Sequence, residues 1–471
     1  MLSIFHRYLH AVEKRHPAYK KQFQPFCIFA APGESYTSWR THFDYTPSGL
    51  THSVLHGIKH FRNFVVLNGS DPSGFDNGHC TVALDESGFL PGKASAASLP
   101  ASGPIPDLSE HCWRFGFISY DYKNRIELLS SAHADYLQFP EHFFFKPALV
   151  LSLKEQTRDI LENRSGIKRG QIDALFRQEP TQYITGETAA AFHLKSRLSR
   201  REYIERVKQI KSAILKGEIY EMNFCLEFFA EDIEIDPFSV YEKLNRISAA
   251  PFSAFCRFGD KFVLSSSPER FLKKTGNRLI SQPIKGTGKR SENPLEDARF
   301  RNELRENEKE LAENVMIVDL VRNDLSRIAQ RGSVNVDELC GIYSFAQVHQ
   351  MISTVSCTLK PGVSFAEILK AVFPMGSMTG APKIRAMQLI EKFETSKRGL
   401  YSGALGYIKA DGDFDFSVVI RSILYDASMR YLSFMVGSAI TDKSDPEQEY
   451  EECLLKAKGM MEALGATLKD S

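Results

Sequence analysis

Leu279-Ile280-Ser281-Gln282-Pro283-Ile284-Lys285-Gly286-Thr287-Gly288-Lys289-Arg290 is the stretch around which the chain is organised. It joins an apolar, strand-like run to a long region rich in acidic and basic residues with helical character. Pro283 fixes its own φ, and Gly286 and Gly288 can adopt positive φ, so a sharp turn is predicted. A lysine on such a turn can face a cavity with its stem dehydrated. Desolvation favours the neutral amine, the form that acts as a nucleophile. Read alone, the same segment is more commonly a solvated turn lysine or a phosphate cradle. Its surroundings decide between these readings.

The chain has 471 residues, 43% hydrophobic and 25% charged, with 59 basic and 58 acidic side chains. That is globular composition with length for about two to three domains. A formal charge of +1 gives no general reason to bind nucleic acid or membrane, so anion recognition has to come from local placement. The first residues lack a signal-peptide core, and no apolar run approaches the ~20 residues that span a bilayer. Eight cysteines are scattered without a Cys-x-x-Cys pair, which fits free thiols in a reducing cytoplasm. Twelve of the thirteen histidines precede residue 200, yet His6, His10, His16, His42, His52, His56 and His60 lack convincing ligand spacing beyond i, i+4 pairs.

Outward from the lysine, residues 1–153 read as a β-rich subdomain, with strands predicted at Phe26 to Ala30, Phe61 to Leu67 and Phe144 to Leu153. Residues 154–198 are polar and broken by glycines, a connecting segment with a short helix near Ile172. From residue 199 to 466, Ser199 is a good N-cap for a helix to Lys216, and Asp445 with Pro446 opens a last helix to Leu464. Strands fit Ile219 to Phe229, Phe252 to Arg257, Phe262 to Ser266, Ser344 to Leu359, Gly403 to Lys409, Phe414 to Leu424 and Tyr431 to Ala439. One long helix is predicted from Glu296 past Leu320, and shorter ones at Ser364 to Val372 and Pro382 to Phe393. Strands with interspersed helices, lacking regular βαβ alternation, give an α+β fold.

Four groups carry chemistry. Glu310 with Glu313, and Glu449 with Glu452, are i, i+3 pairs that place two carboxylates on one helix face. Two such faces suit a Mg²⁺ ion, although such spacing alone more commonly marks a solvated acidic face. Glu269 follows an apolar strand and Pro268; burial would let it act as a general acid. Pro374 to Lys383 is a Gly- and hydroxyl-containing turn into a helix, suited to a carboxylate or phosphate.

Together these segments resemble the chorismate-utilising enzymes. The resemblance is carried by Ser265 to Phe271 (SSSPERF), Pro283 to Arg290 (PIKGTGKR) and Ala312 to Leu325 (AENVMIVDLVRNDL). Gly376 to Met387 (GSMTGAPKIRAM), Gly403 to Ile408 (GALGYI) and Ser444 to Lys456 (SDPEQEYEECLLK) continue it, in family order, and Phe115 to Tyr122 is an N-terminal echo. It implies the fold of anthranilate synthase component I, with large antiparallel sheets packed together and flanking helices, and makes 199–466 the chorismate-binding region. Lys285 sits where aminodeoxychorismate synthases have PIKGT and anthranilate synthases PIAGT. The resemblance thus implies component I of the former: Lys285 attacks C2 of chorismate, Glu269 protonates the departing 4-hydroxyl, and ammonia adds at C4. It also implies Mg²⁺ on Glu313 and Glu452, with Glu310 and Glu449 behind them. Tyr407, Arg421 and Lys456 are implied as contacts to substrate carboxylates, and Ser377 and Gly437 as hydroxyl and backbone contacts.

Three positions depart from the family pattern. Glu221 stands where hydrolytic relatives carry a water-activating lysine and ammonia users have Gln. Gln350, beside His349, takes the place of an active-site histidine. Ala439 replaces a glycine. No glutaminase segment is legible, so ammonia is expected from a separate glutamine amidotransferase subunit. The rival readings are anthranilate synthase component I and a degenerate chorismate-binding protein.

Overall fold

The strand expected at Leu279 to Pro283 forms, and the turn expected just after it is sheet as well. In the computed structural model, which describes residues 54–68, 80–89, 99, 103–154, 157–164, 166–175, 192–345 and 347–469, Arg278–Gln282 and Ile284–Lys289 both pair antiparallel with Val348–Thr358. One register holds from Arg278↔Thr358 to Ile284↔Ile352, then slips by a residue before Thr287↔Gln350. Lys285 and Gly286 form the bulge, with Gly286 at φ 89°. Pro283 has no N–H to donate, yet its carbonyl accepts from Ser353 N at 3.2 Å. Turn residues here bend a strand and re-aim its side chains instead of reversing the chain.

Two sheets hold the described strands. The larger has twelve, in the order Thr467–Leu468, His193–Ser196, Glu221–Ala230, Tyr431–Ile440, Ser422–Asp426, Lys261–Ser267, Phe252–Phe258, Asn63–Asn68, Cys80–Leu84, Leu149–Lys154 and Thr157–Asn163, with Gly380–Ala381 also on Glu221–Ala230. The second has nine: Ile284–Lys289, Val348–Thr358, Arg278–Gln282, Arg270–Thr275, Phe414–Val418, Ala404–Ile408, Arg114–Ile118 and His142–Phe145, with Asn335–Ser344 on Val348–Thr358. Strands before residue 154 and after 198 share both sheets, through Asn63–Asn68 on Phe252–Phe258 and Arg114–Ile118 on Ala404–Ile408.

The layers run helix, sheet, sheet, helix. Arg200–Leu215, Pro237–Ser248, Lys383–Phe393 and Pro446–Leu464 cover the outer face of the larger sheet through Tyr203, Tyr241, Ile390 and Met460. Between the sheets, Val263, Cys256 and Leu424 meet Phe115, Phe117 and Leu405. Glu308–Ser326 and Phe365–Val372 cover the second sheet through Ile317, Val321 and Ile368. The fold is α+β, as the pattern predicts, with the large antiparallel sheets that the resemblance implies.

Several elements divide differently from their sequence reading. The long helix from Glu296 is two, Pro294–Glu306 and Glu308–Ser326, because Asn307 accepts from the N–H groups of Lys309 and Glu310 and restarts the helix. The 414–424 run breaks at Arg421, whose φ is 48°, and its two strands enter different sheets. The 144–153 run likewise divides between sheets. The Pro237–Ser248 helix was not anticipated, although Asp236 caps it and Pro237 occupies its first turn. The Ser199 capping box and the Asp445 cap form as expected. Phe26 to Ala30 and the histidines His6, His10, His16, His42 and His52 lie outside the described residues.

Two crossovers between the sheets run side by side. Lys261–Ser267 passes to Arg270–Thr275 through Pro268 and Glu269, and Phe414–Val418 passes to Ser422–Asp426 through Arg421. Val418 N donates to Glu269 O at 3.0 Å, and Ser266 N donates to Arg421 O at 3.1 Å. A glutamate and an arginine distant in sequence are thereby fixed together at the junction.

A Cβ on Gly286 would stand 3.3 Å from Glu310, at a φ that L-residues disfavour. Gly286→Ala is expected to cost about 1–2 kcal/mol in denaturant unfolding; unchanged stability would mean the bulge does not need glycine.

Candidate active site

Glu269 is 4% exposed. Its Oε1 accepts from Ser377 Oγ at 2.5 Å. Burial lifts its pKa to about 7 against the lowering influence of Ser377, Lys285, the Ile284 N–H and Arg421. A carboxyl poised there is half protonated at neutral pH and can give its proton to a leaving oxygen. Ser377 lies in the Gly376–Met378 turn, which is itself anchored: Arg398, fully buried against Glu394, donates to Met378 O at 2.7 Å and Asn223 O at 3.0 Å. Nothing in the local sequence marks Arg398 as a positioning residue, because the carbonyls it holds, those of Met378 and Asn223, lie in a separate turn and a distant strand.

Lys285 leaves the bulge with its side chain 9% exposed, and its Nζ is 3.6 Å from Glu221 Oε1. Burial pulls the ammonium down, but Glu221, Glu313, Glu269 and Glu310 outweigh it and hold its pKa above the usual lysine value. Desolvation alone would favour the neutral amine, but these carboxylates keep Lys285 protonated at rest. Lys289 and Arg290 do not depress it either: Lys289 Nζ lies 4.1 Å from the Phe300 ring centre and Arg290 pairs with Asp297.

The two acidic helix faces meet. Lys309 Nζ stands 3.9 Å from Glu313 Oε1 and 3.7 Å from Glu449 Oε1, bridging the Glu308–Ser326 and Pro446–Leu464 helices. Burial, with Glu221 and Glu310 adding to it, raises Glu313 to about 7 despite Lys285 and Lys309, and Glu313 Oε1 is buried without a hydrogen-bond partner. Glu310 is raised by burial and by Glu452; Glu452 itself, though burial opposes it, is kept low by Lys456, Lys309 and Lys285. Among the described residues no three carboxylates, thiols or imidazoles close into a metal cage. The donors are all oxygen and one is orphaned, the open arrangement that suits a hard cation keeping several waters and few carboxylates.

Of the remaining predicted positions, Arg421 and Lys456 reach groups of this centre, and the Tyr407 ring packs in the layer between the sheets. Arg421 is within the electrostatic reach of Glu269, and burial lowers its pKa against the pull of that carboxylate. Lys456 Nζ donates to Gly437 O at 2.8 Å and pairs with Glu452 at 2.7 Å. Gly437 has no room for a side chain, since a Cβ would meet Cys225 Sγ at 2.7 Å. The Tyr407 ring sits 5.7 Å from those of Trp113 and Phe115, in the layer between the sheets. Fully buried His349 binds Asp297 at 3.1 Å and Ser344 at 2.8 Å, while the neighbouring Gln350 Oε1 is buried without a partner.

The chorismate binding enzyme family matches residues 86–462, and the chain belongs to that family. It is 39% identical over 366 residues to aminodeoxychorismate synthase component 1 of Klebsiella aerogenes, covering 77% of this chain and 79% of that one. It is 42% identical over 295 residues to the aminodeoxychorismate synthase of Streptomyces griseus, spanning 62% of this chain but only 40% of that longer protein. The solved structure of anthranilate synthase component I from Streptococcus pneumoniae TIGR4 superposes with a TM-score of 0.67 at 25% identity, covering 84% of this chain and 89% of that chain. The expected fold and family are thus shown.

The raised Glu269 pKa fixes a pH signature. Below about 4.5 both folded and unfolded chains hold this proton; as pH rises to about 7 only the unfolded chain has released it, so stability is lost through that window. Glu269→Gln removes the loss and is expected to gain up to about 3 kcal/mol on wild type between pH 4 and pH 8. Parallel stability–pH curves from denaturant titration would contradict the shift.

Proposed function

We propose that the chain is component I of an aminodeoxychorismate synthase, converting chorismate and ammonia to 4-amino-4-deoxychorismate. The observation that carries this reading is the buried Lys285 amine, re-aimed by the bulge into a carboxylate-lined site beside a glutamic acid of raised pKa. A lysine stem projecting into the site would fill the space that direct addition of ammonia at C2 needs. The Lys285 amine instead attacks C2, and Glu269 gives its proton to the 4-oxygen as it departs in water. Ammonia then adds at C4 and the lysine nitrogen leaves, so one difficult displacement becomes two easier ones.

Arg421 supplies a guanidinium for a substrate carboxylate, and Ser377 holds Glu269 in line. Glu313 and Glu452, with Glu310 and Glu449 behind them, would hold a magnesium ion, which supplies charge neutralisation at the ring carboxylate. Ammonia comes from a separate glutamine amidotransferase subunit, a reading supported by the component 1 name of the Klebsiella aerogenes relative. The product leads to 4-aminobenzoate and folate. We place the enzyme in the cytoplasm: every described cysteine is free, as in a reducing compartment, and among the described residues no helix is long and apolar enough to cross a membrane.

Incubation with chorismate, ammonium and Mg²⁺, coupled to an aminodeoxychorismate lyase, is expected to give 4-aminobenzoate. Formation of 2-aminobenzoate would assign the chain to anthranilate synthesis instead. Lys285→Ala is expected to lose about 10³-fold or more in 4-amination, and wild-type turnover by that variant would remove the nucleophile.

A further inference from the structure

Glu221 opens the Glu221–Ala230 strand, where Ala381 pairs with it and Gly380 packs so closely that a Cβ would meet the Glu221 carbonyl at 2.3 Å. The pairing with Gly380–Ala381 fixes the backbone from which the Glu221 side chain projects. Its carboxylate is 1% exposed, with one oxygen 3.6 Å from Lys285 Nζ and the other buried without a hydrogen-bond partner. Among the described residues it is the single acid within ion-pair distance of that amine. A purely structural ion pair gains by saturating both oxygens and closing to hydrogen-bond length. This one does neither, which leaves the carboxylate free to take up a proton.

We propose that Glu221 is the base that removes the proton from Lys285 and so generates the attacking amine inside the site. The inference rests on the covalent reading above. The other charged groups facing Lys285 stand beyond ion-pair distance of its amine. Glu269, at the sheet crossover, is bound by Ser377 and is needed in its acid form. Glu310 and Glu313, on the Glu308–Ser326 helix, and Glu452, on the Pro446–Leu464 helix, belong to the acidic pair of helices that Lys309 and Lys456 engage.

The protons balance. Lys285 passes one proton to Glu221; the neutral amine bonds to C2 as a secondary ammonium while the C4–O bond breaks and takes the Glu269 proton away as water. Ammonia bonds to C4 and the C2–N bond breaks, returning neutral Lys285. Glu221 then gives its proton back to Lys285, and the new C4 ammonium reprotonates Glu269. No further reactant is required.

Glu221→Gln tests this with the full chain, chorismate and Mg²⁺, ammonium withheld, following adduct formation by rapid quench and intact mass. Adduct formation is expected to slow about 10²-fold near neutral pH and to recover as pH rises and hydroxide replaces the base. Chorismate affinity, read by titration calorimetry, is expected to change by less than about threefold. An adduct formed as fast as in wild type, or faster, would overturn the proposal: a glutamate that merely holds the lysine protonated should, on removal, ease loss of that proton. If Glu221→Gln does not fold, Glu221→Asp carries the same comparison, a slowed adduct supporting the base and an undiminished one contradicting it. Absence of an adduct in wild type, with Lys285→Ala still aminating, would defeat the covalent reading and this inference together, whereas a wild-type adduct with an unslowed variant defeats this inference alone.

Discussion

A cation buried among carboxylates is the constraint on which the rest depends. Lys285 is withdrawn from water, and burial of an ammonium is costly unless opposing charge surrounds it. Glu221, Glu313, Glu269 and Glu310 supply that charge and keep it protonated at rest. The reverse holds as well: several acids crowd into one buried region, and Lys285, Lys309 and Lys456 temper their repulsion. Neither set is stable there without the other.

The fold exists around this centre in a specific sense. The bulge at Lys285 and Gly286 turns the lysine out of an otherwise regular ladder, and Gly286 leaves the room that Glu310 fills. Asn307 ends one helix and starts the next, setting the direction in which the Glu308–Ser326 helix carries Glu310 and Glu313 over the bulged strand. Paired crossovers place Glu269 and Arg421 side by side. Catalytic groups on strand ends and rigid helices need little reordering when a substrate arrives.

Much of this was legible in the sequence, and the failures have physical causes. Ser199, Asp445 and the acidic i, i+3 pairs were readable because caps and helix faces are local. The α+β class followed from the order of apolar runs. The bulge is not readable, because Pro283 and Gly286 serve a turn and a bent strand equally well and the strand they pair with, Val348–Thr358, lies more than sixty residues further along the chain. The break at Arg421 was hidden inside a continuous apolar run that happens to serve two sheets. The charge state of Lys285 is not legible for a related reason: desolvation is a local expectation, whereas the opposing carboxylates converge from other strands and helices. Glu221 is legible as a departure from the family pattern, and its 3.6 Å approach to Lys285 is what the sequence cannot show.

Peptide-resolved mass spectrometry of the wild-type chain, incubated with chorismate and Mg²⁺ and deprived of ammonium, tests the centre of this mechanism most directly. The expected result is a mass gain equal to chorismate less water on the peptide bearing Lys285, discharged when ammonium is added. Turnover on ammonium addition without any such species, or with the mass gain on another residue, would contradict it.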